Sequence, residues 1–219
     1  MTMQDVTVAT AGVEVGGYLA TYPGVSGIVV FAHGSGSSRH SPRNMAVAEE
    51  LHRRGMATLL FDLLTPAEGR ADELTAEKRF DIGLLTRRLT GAVDWLATRE
   101  GTADLPVGLF GASTGAAAAL RSAAERPDRV RGVVSRGGRP DLAGTEALQL
   151  VKAPTLLIVG GADPEVLQLN QEAADRLSAP TRIHVVPHAT HLFEERGAME
   201  EVSDTAAEWF LLTFGADGQ

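Results

Sequence analysis

Gly111-Ala112-Ser113-Thr114-Gly115 holds a serine two residues from a glycine on either side, after an apolar run ending in Phe110 and before an alanine-rich segment. A hydroxyl exposed at the top of a sheet has to sit on a sharp, strained strand-to-helix turn, where larger residues at the flanking positions collide. Alanines at 116–119 let the following helix pack closely. A chain with 24 glycines can produce such a pattern by chance. The placement is what informs: strand before, helix after, and Ser113 reads as a nucleophile.

A serine hydroxyl attacks a carbonyl only when a base takes its proton, and that base needs a carboxylate to orient it. Around a serine on such a turn the chain order is serine, acid, histidine. Of six histidines, His184, His188 and His191 follow the onset of the last apolar strand. His184 falls inside the strand pattern, while His188 and His191 share the loop PHATHLF. His191 is the favoured base because it lies deeper in that loop, just before a Leu192-Phe193 pair expected to anchor it against the core. The 184, 188, 191 spacing crosses a strand-to-loop change and lacks a carboxylate at helical spacing, so no metal site is expected. Asp163 closes the run TLLIVGGAD and is the candidate acid. Followed by Pro164 and Glu165, it is equally a helix N-cap signature. Asp62 ends a strand too, but precedes the serine.

Attack builds negative charge on the carbonyl oxygen, and removing one preorganised N–H donor there typically costs about 3 kcal/mol. One donor is expected from Thr114. The other is expected from Ser35, in the loop His33-Gly34-Ser35-Gly36-Ser37, whose glycines let amides turn inward. His33 is read as organising that loop. Arg39, Arg43, Arg136 and Arg139 lie in two loops expected at the carboxyl edge of the sheet, where open α/β sheets place the ligand crevice. The substrate-binding candidates are therefore Gly34, Arg39, Arg136, Arg139 and His188, with a guanidinium of Arg136 or Arg139 holding an anionic group. The competing reading is that these arginines pair with Asp62, Asp141 or nearby glutamates to order the loops.

These residues need a frame. Short runs rich in Val, Ile, Leu and Phe alternate with longer stretches of helical period, which argues for an α/β fold, a mostly parallel sheet covered by helices on both faces. DVTVAT and VEVGGYLATY predict an antiparallel pair opening the sheet, and GIVVFAH, ATLLFDLL, VGLFGAS, VRGVVSRGG, TLLIVGGAD and TRIHVVP predict the strands that follow. Ser41-Pro42 supplies a cap and a first-turn proline for a helix through Arg54. Between Thr75 and Thr98, residues Ile82, Leu85, Leu89, Val93 and Leu96 share one helical face; Met199, Val202, Ala206 and Phe210 stripe a closing helix. Further helices are expected from Thr114 to about Glu125 and over PEVLQLNQEAADRL. The charged stretch PAEGRADELTAEKR is read as a loop, either a solvated face or a small flap beside the site. No repeat or linker interrupts the pattern, and 219 residues fit a single domain over 1–219 with no separate lid domain.

Hydrophobic residues make up 44% and charged residues 22%, the balance of a globular chain. The absence of cysteine excludes disulfides, thiolate nucleophiles and cysteine-ligated zinc. A formal charge of −8 opposes binding to a phosphate backbone, so nucleic acid is not an expected partner. The opening MTMQDVTVAT lacks a basic patch followed by an apolar run, and no stretch is long and apolar enough to span a bilayer. A cytoplasmic location without membrane partners is the expectation.

FAHGSGSSRHSPRN, LLFDLLTP, FGASTGAAAAL, VVSRGGRPDLAG, LLIVGGAD and ATHLFEE run through nearly the whole chain and resemble the dienelactone hydrolase-related family of the α/β-hydrolases. The resemblance implies an α/β-hydrolase fold with Ser113 as nucleophile, Asp163 as acid and His191 as base. The chain is particularly similar to bacterial members in which this unit follows a phosphoribosyltransferase domain, a domain with no counterpart in these residues. The enzymes that give the family its name use cysteine where this chain has Ser113, so activity on dienelactones does not carry over. His188 stands where PGATHLF-like relatives have glycine. The expected function is hydrolysis of a carboxylic ester or lactone of a small soluble substrate through an acyl-enzyme, with no cofactor. Two other classes compete. A nucleotide-binding oxidoreductase would use Gly34-x-Gly36 after a strand and Asp62 ending the next, but Arg39 replaces the third glycine and Ser113, Asp163 and His191 go unused. A non-catalytic ligand-binding α/β-hydrolase is opposed by the intact triad.

Overall fold

The computed structural model describes residues 2–215. Their strands form one eight-stranded sheet in the order β1-β2-β4-β3-β5-β6-β7-β8. β1 (Thr2–Thr10) and β2 (Val13–Thr21) are the antiparallel pair foreseen, and β2 also runs antiparallel to β4 (Ala57–Phe61). From β4 onward every pairing is parallel: β3 (Ile28–Ala32), β5 (Val107–Ala112), β6 (Val130–Arg136), β7 (Thr155–Gly160) and β8 (Thr181–Val186). All residues of β3, β4, β5 and β7 are buried, as befits strands covered on both faces.

Side chains of period two divide the apolar interior into two layers. Val29, Phe31, Phe110, Val134 and Ile158 face one side, where α1 (Pro42–Arg53) and α7 (Ala198–Gly215) lie. Ile28, Val30, Leu109 and Val133 face the other, packed under α3 (Ile82–Ala97), α4 (Thr114–Glu125) and, further along, α5 (Thr145–Leu150) and α6 (Pro164–Ala174). Of the stripes foreseen in sequence, Ile82, Leu85, Leu89, Val93 and Leu96 on α3 and Val202, Ala206 and Phe210 on α7 are buried, while Met199 is only half-buried against the same layer. Ser41 caps α1 as expected, its side chain accepting from the Asn44 N–H.

The stretch after β4 departs from the expectation. Residues Pro66–Thr75, read as part of a charged loop, form α2, and the helix expected from Thr75 instead begins at Ile82 behind an Asp81 cap. The cause is local. Thr65 Oγ1 accepts from the Glu68 N–H at 3.2 Å while the Glu68 carboxylate accepts from the Thr65 N–H at 2.8 Å, a reciprocal capping box opened by Pro66. Charge count hid a start signal that Thr65-Pro66-Ala67-Glu68 carries openly.

Candidate active site

β5 ends at Ala112 and α4 starts at Thr114, so Ser113 alone makes the turn, at φ 50° and ψ −120°. A non-glycine residue holds a positive φ only where its surroundings over-determine it. Here the Ser113 N–H donates to the Arg136 carbonyl (3.2 Å), and the Ser113 carbonyl accepts from Ala116 N–H and Arg139 N–H, both at 3.1 Å. The flanking glycines have steric work: a Cβ on Gly111 would run into the Ala116 backbone, and one on Gly115 into the Ala32 carbonyl.

The loops after β7 and β8 bring an acid to an imidazole. Gly161 N–H donates to the Val186 carbonyl (2.8 Å) and Ala162 N–H to the Ala189 carbonyl (2.9 Å), lacing the two loops together. Asp163 occupies the N-cap position of α6 but makes no capping bond. Its Oδ2 instead lies 2.8 Å from His191 Nδ1. With Nδ1–H donating to the carboxylate, Nε2 is left free to accept a proton. β6 joins this pair to the serine: Gly137, the residue after the carbonyl that holds Ser113, has φ 50°, and a Cβ there would stand 3.2 Å from the His191 carbonyl and 3.6 Å from His191 Cε1.

The other candidates sort themselves by partner. Asp62 accepts the Arg39 backbone N–H at 2.9 Å and pairs with the Arg39 guanidinium, so its carboxylate is engaged away from the imidazole. Arg139 binds Asp141 through two parallel bonds, 2.8 and 2.7 Å. Both arginines thus adopt the loop-ordering arrangement. Arg136 has no carboxylate partner among the described residues: 8% exposed, it lies over the Phe193 ring at 5.9 Å, with Nε and Nη1 buried and unbonded. Burial, and then the charge of Arg43, pulls its guanidinium down to about 10. His184 joins Glu201 of α7 at 2.7 Å, outside the site. His188 sits in a turn at φ 61°, a backbone conformation that glycine adopts without strain. Of the Leu192-Phe193 pair only Phe193 anchors the loop: it is buried, whereas Leu192 is 42% exposed.

On the opposite side of Ser113 the loop after β3 is organised as expected by His33. The Leu63 N–H donates to His33 Nε2 (3.1 Å), so Nδ1 carries the hydrogen and donates to the Gly34 carbonyl (3.0 Å). Because a trans peptide is planar, pinning that carbonyl turns the Ser35 N–H the opposite way. Thr114, as first residue of α4, has no helical acceptor for its own N–H. A cavity of about 330 Å³ opens here, lined by Gly34, Ser35 and Thr114 and walled by Leu63, Gly69 and Asp72 of the β4–α2 segment. Of the two readings given to the charged stretch, the one that sets it beside the site agrees with this wall, while its helical form was not foreseen.

The description "Alpha/beta hydrolase domain" fits residues 25–210 of the chain. A dienelactone hydrolase from Anabaena variabilis, known from its crystal structure, is 54% identical, with a TM-score of 0.95 over 97% of this chain and 98% of its own. The chain belongs to the dienelactone hydrolase-like α/β-hydrolases. A Mycobacterium tuberculosis protein named as a phosphoribosyl transferase is 56% identical over 95% of this chain. The chain spans about half of that relative, 46% of its length. Est1E from Butyrivibrio proteoclasticus is 14% identical and shares the fold, with a TM-score of 0.80 over 96% of this chain and 99% of its own. Membership of this hydrolase family sets the nucleotide-binding oxidoreductase reading aside. Among the described residues no helix is long and apolar enough to cross a membrane.

Proposed function

We propose that this hydrolase cleaves carboxylic esters or lactones of small molecules through an acyl-enzyme on Ser113. The observation that carries the reading is the 2.8 Å contact between His191 Nδ1 and Asp163 Oδ2 at the sheet edge where Ser113 holds its strained turn. Ser113 Oγ adds to the carbonyl carbon while its proton passes to His191 Nε2, and Asp163 stabilises the resulting imidazolium. The N–H groups of Ser35 and Thr114 receive the developing oxyanion. Collapse breaks the C–O bond, and His191 returns the proton to the departing alkoxide. A water then gives a proton to His191 and its hydroxide to the acyl carbon, releasing the acid and regenerating Ser113. The cavity of about 330 Å³ suits a small acyl group.

Transfer of a phosphoribosyl group is not proposed for this chain, since the matched half of the Mycobacterium relative is the hydrolase-like half. Short p-nitrophenyl esters test the reading: wild-type enzyme is expected to turn them over, and Ser113→Ala to lose about a millionfold in kcat. Retention of activity in that variant removes Ser113 as nucleophile. Fluorophosphonate labelling at Ser113 separates a catalyst from a ligand binder that merely keeps the pocket.

A further inference from the structure

Arg136 closes β6 beside the proposed triad, and its surroundings are unusual for a buried cation. Arginines nearby in the chain find carboxylates: Arg39 with Asp62, Arg139 with Asp141, Arg79 with Asp72. Arg136, more deeply buried than these, has Nε and Nη1 shielded from water without an acceptor. The charge that bears on it is another cation, Arg43, the second residue of α1. Arg43 also carries a buried, unbonded Nε, and reaches the exposed Glu194 only at 3.6 Å through Nη1. Arg43 and Phe193 line one groove and Arg136 lies over that same Phe193 ring, so two guanidinium groups with buried, unbonded N–H donors gather around one side chain, an arrangement suited to an anion.

We propose that Arg136 and Arg43 form a subsite for a phosphate monoester carried by the substrate. Two cations call for a doubly charged guest, and a phosphate monoester carries close to two negative charges near neutral pH with three acceptor oxygens, where a carboxylate brings one charge and two. The open groove outside Arg43 and Phe193 is lined by Glu194, Glu195 and Glu200 together with Arg196, and its three carboxylates disfavour a free anion arriving that way. The backbone carbonyl of Arg136 is the one that holds the Ser113 N–H at 3.2 Å, so the guest is read as part of the molecule being hydrolysed. The inference rests on the hydrolase reading for the substrate and on the orphaned donors for the anion.

Two measurements separate these. In the first, inorganic phosphate is titrated into Ser113→Ala protein and thermal stability is followed. Stabilisation is expected with Arg136 and Arg43 intact and about ten- to a hundredfold weaker apparent affinity in Arg136→Lys and Arg43→Gln backgrounds, the range for charge-assisted bonds to a buried partner. Arg126→Gln, on the far end of α4, serves as the unaffected control. In the second, kcat/KM is compared for the butyrate ester of glycerol 3-phosphate and that of glycerol. Wild type is expected to prefer the phosphorylated ester about tenfold or more, and each arginine variant to lose that preference. Cleavage without preference, or a phosphate response unchanged by either substitution, overturns the subsite. Equal stabilisation by glutarate overturns the assignment to phosphate. Arginine-dependent phosphate binding with no ester cleaved keeps the anion site and overturns the hydrolase reading instead.

Discussion

His191 has two ring nitrogens, and Asp163 decides what each can do. With Nδ1–H held by the carboxylate at 2.8 Å, Nε2 is the nitrogen that the proposed mechanism assigns to Ser113. Asp163→Asn would offer an amide where an acceptor is needed, so the imidazole would favour the wrong tautomer. A loss of about ten-thousandfold in kcat is expected, with little change in thermal stability. Asp62→Asn, whose carboxylate serves Arg39, should lose far less, and steady-state kinetics on one ester distinguishes the two acids. His188 offers a test of the opposite kind. A β-carbon at φ 61° costs roughly 1–2 kcal/mol, offset in part by the roughly 0.5–1 kcal/mol of chain freedom that a glycine loses on folding. His188→Gly is therefore expected to leave ester turnover unaltered and to shift stability by between zero and about 1 kcal/mol in the stabilising direction, read from urea melts.

At the scale of elements, α2 decides the shape of the site. Its first turn is fixed by Thr65 and Glu68, and its body, with Gly69 and Asp72, walls the cavity next to the Ser35 loop. The Asp72 carboxylate then receives the N–H groups of Lys78 (2.7 Å) and Arg79 (3.0 Å), tying the end of α2 to the approach of α3. Thr65→Ala removes one half of the capping box. The expected result is a loss of about 1 kcal/mol in stability and a rise in KM larger than any fall in kcat, because the wall moves and the triad does not.

For the molecule as a whole, stability and pH are linked through histidines held neutral. His33 titrates below its ordinary 6.5 because burial penalises the imidazolium, against smaller opposing effects of the Gly34 bond and Asp62. His52 is lowered likewise by burial. As pH falls through about 6.5 the unfolded chain takes up protons that the folded chain still refuses, so stability is full above that pH and declines below it. The decline stops once pH passes the folded values. A falling melting temperature between about pH 7.5 and about 5.5 is expected, with a shallower slope in His33→Gln,His52→Gln; equal slopes would refute the assignment.

Periodicity and punctuation are local properties, and the chain displays them without help from tertiary contacts. Alternating apolar runs specified the strands and most helices, and Gly111 to Gly115 specified the turn at Ser113. Pairing between distant side chains is not local. Asp62 and Asp163 both follow strands and look alike in sequence, yet the order β4-β3-β5-β6-β7-β8 sends them to opposite sides of β5 and places only Asp163 beside the loop that follows β8. The same holds for the arginines: Arg39, Arg136 and Arg139 all read as loop residues in sequence, yet Arg136 ends β6, and only the packed structure gives carboxylates to the other two and leaves Arg136 buried without one. Hydrophobic pattern is set residue by residue along the chain, whereas who meets whom at the sheet edge is set by strand order, which exists only after folding.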